Sequence, residues 1–234
     1  MISGGTRLVA LLGRPVSESL SPRMQNAAFA ARALDWAYVA CEVVPEGLEA
    51  AVRGLAALGF AGANVTIPHK QAVTTFCDEA EGDSVNTLVF RDGRVLGFNT
   101  DKAIVAGIDA RRVCLIGGGG AAAALRPDLH GEVRIFTRSG DWPPDATGCD
   151  LVVNATPVRD EALVEPQRGQ VVVDLTYRDD GRPTALVESA RAAGCVVVDG
   201  LDALVRQGAA SFELWTGLAA PVDAMRAALP RPEA

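Results

Sequence analysis

Histidine and lysine are nearly missing from these 234 residues: there are two histidines, His69 and His130, and two lysines, Lys70 and Lys102, among 22 basic side chains. So few histidines exclude a multi-histidine metal site, no Cys-His spacing of the zinc-binding kind exists, and no metal is expected. A Ser-His-Asp hydrolase would need one of the two, yet the chain has no Gly-x-Ser-x-Gly elbow. His130, in Asp-Leu-His-Gly, reads as a loop residue, and His69, next to Lys70, either as a residue approaching a site or, the favoured reading, as an exposed residue at a helix start. The five cysteines (Cys41, Cys77, Cys114, Cys149, Cys195) are odd in number, widely spaced and form no Cys-x-x-Cys. Reduced thiols and a cytoplasmic location are therefore expected rather than a disulfide framework. Three of them sit in apolar strand-like runs, which argues against a catalytic cysteine. Aromatics make up 5%, so the core is aliphatic. A net charge of −7 and a pI near 4.9 speak against a nucleic-acid surface, which needs clustered positive charge, and any anion must be captured locally. No apolar stretch reaches membrane-spanning length, and the N-terminal residues lead into a strand without a signal-peptide core.

What is present is an ordinary globular composition, 49% hydrophobic and 22% charged, in a chain long enough for two α/β lobes. Short β-like runs alternate with helical stretches, the signature of a parallel α/β sheet. Strands are expected at residues 7–12, 36–42 and 63–67, with a hairpin at 85–90 and 94–98 turned by Arg91-Asp92-Gly93. Ser21-Pro22 predicts a helix with serine as N-cap and proline in its first turn, and 45–58 predicts another. A second series follows a boundary near Asp101 to Asp109: strands at 112–116, 133–136, 150–153, 170–175 and 195–198, a helix at 184–193, and a helical stretch over 209–229.

Leu115-Ile-Gly117-Gly-Gly119-Gly120-Ala121 follows a strand and opens a helix. In that context backbone N–H groups and a helix N-terminus face a pyrophosphate. The next strand ends in Thr137-Arg138-Ser139, where a site selecting NAD places an acid. A guanidinium flanked by hydroxyls suits the 2′-phosphate of NADP, the other reading being a surface arginine. Pro127 limits the helix after the glycines to about two turns.

Lys70 closes Asn64-Val-Thr66-Ile-Pro-His69-Lys70. Arginine stays charged, whereas a lysine ammonium can be tuned to give and take protons, so this lysine reads either as a proton donor or as a solvated helix-start residue. Around it the polar segments resemble, in order from about residue 8 to 217, those of the shikimate dehydrogenase family. Val16-Ser-Glu-Ser19-Leu-Ser21-Pro22 is similar to the serine pair whose hydroxyls bind the substrate carboxylate. The Lys70 segment is similar to the motif whose lysine is the acid/base and whose Asn and Thr contact substrate. Val85-Asn86-Thr87 and Asn99-Thr100-Asp101 resemble the segments supplying a substrate-binding Asn and the lysine's Asp partner. Asn154-Ala-Thr156-Pro157 and Asp174-Leu-Thr-Tyr177 resemble the cofactor-domain strand ends, and Gln207-Gly-Ala-Ala-Ser-Phe-Glu-Leu-Trp215 the closing glutamine segment. Taken singly, Ser21 also reads as a cap, Asn86, Asn99 and Asn154 as turn residues, and Tyr177 as a half-buried phenol.

The resemblance implies an N-terminal α/β substrate domain of residues 1–101 and 207–234, and a shortened Rossmann-like NADP-binding domain of 102–206, with the active site in the cleft between them. It implies an NADP-dependent oxidoreductase of aromatic amino acid biosynthesis that reversibly reduces 3-dehydroshikimate to shikimate, with Lys70 and Asp101 as the acid/base pair. Ser19, Ser21 and Tyr177 would bind the carboxylate, and Asn64, Thr66, Asn86, Asp101 and Gln207 the ring hydroxyls. Gly117, Gly119, Gly120, Ala121, Thr137, Arg138, Ser139, Asn154, Thr156 and Gly200 would bind NADP. The partner is a small molecule, the assembly a monomer or homodimer. Departures from the pattern are Gln25 in place of His, Lys102 in place of Gly, Val158-Arg-Asp in place of Gly-Met, and shorter connections around 79–84, 102–111 and 140–148. They leave two alternatives, a quinate or aminoshikimate dehydrogenase and a shikimate-binding homologue without hydride transfer.

Overall fold

The structure, a computed structural model, describes residues 2–231. The described residues divide into two compact units, one formed by residues 2–101 and Gln207–Leu229, the other by Lys102–Arg206 with Pro230 and Arg231. The sequence reading assigned all of 207–234 to the first. Pro230 and Arg231 instead group with the second, where Gly181 turns at φ 75° and a Cβ would meet the Pro230 carbonyl at 2.7 Å.

The first unit opens with β1 (Arg7–Gly13), α1 (Ser21–Ala31), β2 (Trp36–Glu42), α2 (Leu48–Ala57) and β3 (Gly62–Val65), then β4 (Glu79–Ala80), β5 (Thr87–Arg91) and β6 (Arg94–Phe98). Its sheet has the order β2-β1-β3-β5-β6-β4 and is mixed rather than all parallel: β1 runs parallel to β2 and β3, while β3, β5 and β6 pair antiparallel. Antiparallel pairing is possible because β5 and β6 need only a two-residue turn. Asp92 (φ 52°) and Gly93 (φ 75°) both take positive φ, the turn whose twist matches the strands. One sheet face packs Ala10, Leu12, Ala63 and Val65 against Leu48, Val52 and Leu55 of α2.

The second unit contains a one-turn helix α3 (Lys102–Val105), then β7 (Arg112–Ile116), α4 (Gly120–Leu125), β8 (Glu132–Phe136), β9 (Leu151–Asn154), β10 (Val171–Asp174), α5 (Ala185–Ala192) and β11 (Val196–Val198). Its five strands are all parallel in the order β11-β10-β9-β7-β8. Both faces are covered, as parallel sheets require. Val113, Leu115, Leu151 and Val153 enter one core, and Cys114, Ile116 and Val152 the other.

Two helices close the chain, α6 (Gly200–Thr216) and α7 (Val222–Ala227), and the unit boundary falls inside α6 between Arg206 and Gln207. From the sequence a single helical stretch is expected over 209–229. The helix in fact starts at Gly200, because Asp199 takes the first-turn amides: Asp202 N–H donates to its carboxylate at 3.0 Å and Ala203 N–H to its carbonyl at 2.8 Å. It ends at Gly217, which has φ 69°. Trp215 fixes the C-terminal half of α6 to the first sheet by donating its indole N–H to the Leu88 carbonyl at 2.9 Å. A side chain at Gly62 would collide with that indole and carbonyl, so β3 needs glycine there.

Candidate active site

The first unit carries a continuous buried hydrogen-bond network. Lys70, five residues beyond the end of β3, donates from Nζ to Asp101 Oδ2 at 2.6 Å, and the pair is largely shielded, with side-chain exposures of 17% and 9%. Asp101 lies just after β6, where the Asn99 side chain accepts its backbone N–H at 3.1 Å. Its other carboxylate oxygen accepts from Asn86 Nδ2 at 2.7 Å. Asn86 is oriented in turn by donors to its Oδ1, the Thr100 N–H at 2.8 Å and the Thr100 hydroxyl at 3.0 Å, with the Thr87 hydroxyl also within reach at 3.0 Å. From there the network reaches Asn64 on β3, which donates from Nδ2 to the Asn86 carbonyl, Thr87 Oγ1 and Ser211 Oγ, all at 3.0 Å. Asn64 Oδ1 accepts from the Tyr38 hydroxyl at 2.8 Å. Burial drives the Tyr38 phenol far above its ordinary pKa, partly offset by a hydrogen bond from Ser21. Tyr38 therefore stays neutral and can act as the donor that fixes the amide of Asn64.

Lys70, Asp101, Asn86, Asn64 and Tyr38 are thus joined as one chain of contacts. Ser19 adjoins it by accepting the Ser21 N–H at 3.3 Å. Ser21 is not the N-cap expected from the sequence. Leu20 is already helical (φ −80°, ψ −7°), so Ser21 is the first residue of α1, and the Ser19 hydroxyl takes over its amide. Gln207 enters through its backbone carbonyl, which accepts from Ser211 at 3.1 Å. Thr66 stands apart, its methyl packed against Gly13. His69 is not exposed: it is 1% accessible, with Nε2 2.8 Å from the Val43 carbonyl, and it fastens the Lys70 segment to the chain leaving β2. The reading of the sequence gave no role to Tyr38, Thr87, Thr100 or Ser211. For Ser211 a signal existed, since it lies four residues after Gln207 on one helix face. Tyr38 had none beyond being a polar residue inside a largely apolar strand.

In the second unit the glycine turn is closed on one side and open on the other. Gly117 has φ 118° and a Cβ there would press on Ala155 at 3.1 Å, while one at Gly118 would meet the Thr137 methyl at 2.9 Å. At Gly119 and Gly120 a Cβ would find nothing within 4 Å. The first-turn amides of α4 have no carbonyl of their own helix to bond, so backbone donors line this bare side. Thr137 and the exposed Arg138 and Ser139 follow β8, and the Arg138 guanidinium lies 5.5 Å from the Trp142 ring centre. Backbone donors in a space free of side chains, beside an exposed guanidinium flanked by hydroxyls, fit a dinucleotide carrying an extra phosphate.

Asn154 and Thr156 shape the adjoining strand end. Asn154 Oδ1 accepts from the Thr156 amide at 3.0 Å and its hydroxyl at 2.7 Å, and Nδ2 donates to Asp174 at 3.0 Å. Tyr177 is half-buried beyond β10, and Gly200 lies so close to the Thr176 carbonyl that no side chain fits. The cysteines are poor nucleophiles: burial pushes Cys77 to about 11, helped by Asp78, and Cys114 to about 12. No group of His, Cys, Asp and Glu is placed to hold a metal ion, and no helix is long and apolar enough to cross a membrane, among the described residues.

A parallel sheet with a glycine turn after β7 in one unit, and a buried lysine–aspartate pair in the other, define a Rossmann-type oxidoreductase architecture. Residues 11–88 match the shikimate dehydrogenase substrate binding domain, and residues 200–229 the shikimate 5′-dehydrogenase C-terminal domain. The shikimate dehydrogenase (NADP(+)) of Rubrobacter xylanophilus is 40% identical, over 97% of this chain and 97% of that protein. A crystal structure of a shikimate dehydrogenase in complex with NADP+ superposes with a TM-score of 0.86 at 31% identity, covering 97% of this chain and 96% of the other. The Thermus thermophilus enzyme in complex with NADP(H) and shikimate gives 0.81 at 30% identity, covering 95% and 98%. The chain belongs to the shikimate dehydrogenase family. Its match to the Rubrobacter protein spans 279 positions against 234 residues here, so at least 45 positions are without a residue in this chain.

Proposed function

We propose that this protein catalyses the reversible, NADP-dependent interconversion of 3-dehydroshikimate and shikimate. The observation that carries the reading is the 2.6 Å pair of Lys70 and Asp101, held in a buried network of hydroxyl and amide groups suited to a polyhydroxylated ring. Carbonyl reduction needs a proton at oxygen and a hydride at carbon. NADPH, when bound, supplies the hydride. Lys70 Nζ gives its proton to the ketone oxygen in reduction and takes the hydroxyl proton in oxidation. Asp101 orients the ammonium and balances its charge, while Asn86 and Asn99 hold Asp101.

Ser19 and Ser21 bind the substrate carboxylate. With a protein net charge of −7, that anion is held by local donors and not by the overall field. Asn64, Thr66, Asn86 and Gln207 bind the ring hydroxyls, and the Tyr177 phenol is assigned as a further donor to a carboxylate. Asn64 is specified further by its partners: both amide hydrogens are engaged inside the network, so it meets the ring through the remaining lone pair of Oδ1, as an acceptor. The glycine turn from Gly117 to Ala121 holds the pyrophosphate. Arg138 with Thr137 and Ser139 holds the 2′-phosphate, and Asn154, Thr156 and Gly200 shape the remaining wall.

The test is reduced-nicotinamide absorbance with NADP+ or NAD+ on shikimate and on quinate, beside Lys70→Ala. The expected result is activity on shikimate with NADP+ that the substitution abolishes. Calorimetric binding of shikimate without any turnover would overturn it, and preference for quinate would redirect it to the sister reaction.

A further inference from the structure

Ser211 on α6 places its hydroxyl where Asn64, Thr87 and Thr100 of the buried network meet. Three buried hydroxyls form a triangle: Thr87 to Ser211 is 2.8 Å, Thr100 to Ser211 is 3.1 Å and Thr87 to Thr100 is 3.2 Å. Each owns one proton and two lone pairs. Ser211 gives its proton to the Gln207 carbonyl one turn back and accepts from Asn64 Nδ2 and, across the shortest side of the triangle, from Thr87. Thr100 gives its proton to Asn86 Oδ1, which also takes the Thr100 backbone N–H. Two donors on two lone pairs satisfy that oxygen, and Asn86 Nδ2 is left aimed at Asp101.

Deleting the Ser211 hydroxyl upsets this balance. The Thr87 proton loses its nearest acceptor and turns to the next, Asn86 Oδ1 at 3.0 Å, which is closer than Thr100 Oγ1 at 3.2 Å. That oxygen would then face three donors, and buried polar groups without partners are costly enough to force a shift. A rotation of the Asn86 amide moves Nδ2 off Asp101, the carboxylate that holds Lys70.

We propose that Ser211 is a positioning residue of the active site, acting through the hydroxyl triangle on Asn86 and so on the Asp101–Lys70 pair. This rests on the shikimate dehydrogenase reading above. The test measures kcat and KM for shikimate with NADP+ in Ser211→Ala, in Ser211→Cys, which keeps the bulk without a strong donor or acceptor, and in each of two double variants, Asn86→Ala/Ser211→Ala and Ser19→Ala/Ser211→Ala. Circular dichroism and melting show which variants fold.

Both single variants are expected to lose about tenfold in kcat, as a displaced catalytic group does. In the Asn86→Ala background the Ser211→Ala loss should shrink to less than about twofold, while against Ser19→Ala it should persist in full, the signature of coupling through Asn86. Folded variants with kcat within about twofold of wild type, a change confined to KM, or an undiminished loss in the Asn86→Ala background would each overturn the proposal. So would failure of both single variants to fold, which makes Ser211 a folding residue. An inactive wild type would instead defeat the functional reading itself, before any variant is compared.

Discussion

Each unit buries one aspartate at the end of a strand, and the two are built from the same residue types to opposite ends. Asp101 follows β6 and is held by two asparagines and, through them, by threonine hydroxyls. Asp174 ends β10 and accepts from Asn154 at 3.0 Å, the Thr176 N–H at 3.1 Å and the Thr184 hydroxyl at 2.6 Å. What differs is the charge of the partners. Asp101 has a lysine ammonium on one oxygen, whereas Asp174 has only neutral donors and is completely buried. Burial accordingly raises the Asp174 pKa, against the pull of Thr184, Thr176 and Asn154. An aspartate with a cation can hold that cation for proton transfer. An aspartate with neutral donors alone can only tie three loops together.

Substitution of the lysine breaks the comparison most sharply. Lys70→Ala removes the group assigned to proton transfer and should lower kcat for shikimate oxidation by about 10² to 10⁴ in a steady-state assay, the usual yield of a general acid/base. Asp101→Asn should fall in the same range, since the ammonium loses both its orientation and its counter-charge. If Asp174→Asn cost as much turnover, the division of labour between the two aspartates would be wrong.

A second contrast concerns anions. The first unit is assigned an anion site made of hydroxyls, whereas the second leaves an exposed guanidinium, Arg138, between Thr137 and Ser139. Charge-assisted bonds to phosphate are worth about 1.5–3 kcal/mol, so Arg138→Ala should raise KM for NADP+ by about 10- to 100-fold and leave KM for NAD+ within about threefold. Equal losses with both cofactors would place Arg138 outside the 2′-phosphate site.

How much of this was legible in the sequence follows from how local each signal is. The strands of the second unit were readable within a residue or two, because a parallel strand covered on both faces is a short unbroken apolar run such as Val171-Val-Val173. The pairing of Lys70 with Asp101 came from the resemblance, and the sequence alone offered nothing to connect residues 31 apart. Tyr38 and Asn64 sit on strands separated by β1, in register with Val9 and Leu11, so their contact depends on sheet order, which no spacing reveals. The Ser21 cap failed for a subtler reason. Serine before proline is a good cap pattern, but the backbone had already turned helical at Leu20, a difference of one residue that side-chain propensity does not resolve.

The supporting hydroxyls test the same contrast at smaller scale. Tyr38→Phe leaves Asn64 Oδ1 without its donor in a buried site and should cost about 1–3 kcal/mol in denaturant unfolding, together with activity. Thr184→Val removes the N-cap of α5, whose hydroxyl accepts the Val187 N–H at 3.3 Å, and a donor to Asp174. It should cost about 1–2 kcal/mol, with kcat for shikimate oxidation unchanged. A loss of kcat in Thr184→Val equal to that in Tyr38→Phe would erase the distinction between the two networks.

The smallest effect is the pH dependence of stability, and it isolates Asp174. Because its folded pKa is raised, the folded state holds the proton more tightly than the unfolded chain does. The stabilising contribution of this group is therefore complete below the ordinary carboxylate pKa of about 4 and is lost as pH rises through the raised folded value. Above that window the wild type carries a buried charge that only neutral groups solvate. Asp174→Asn removes the titration while keeping the shape, so the melting temperature of the variant relative to wild type should rise from pH 4 to pH 7. Its amide still has Thr184 as a partner, since a hydroxyl can turn to accept. A difference in melting temperature that stays flat across that range would mean that Asp174 titrates alike in the folded and unfolded chain, and that its neutral donors stabilise the carboxylate as fully as water does.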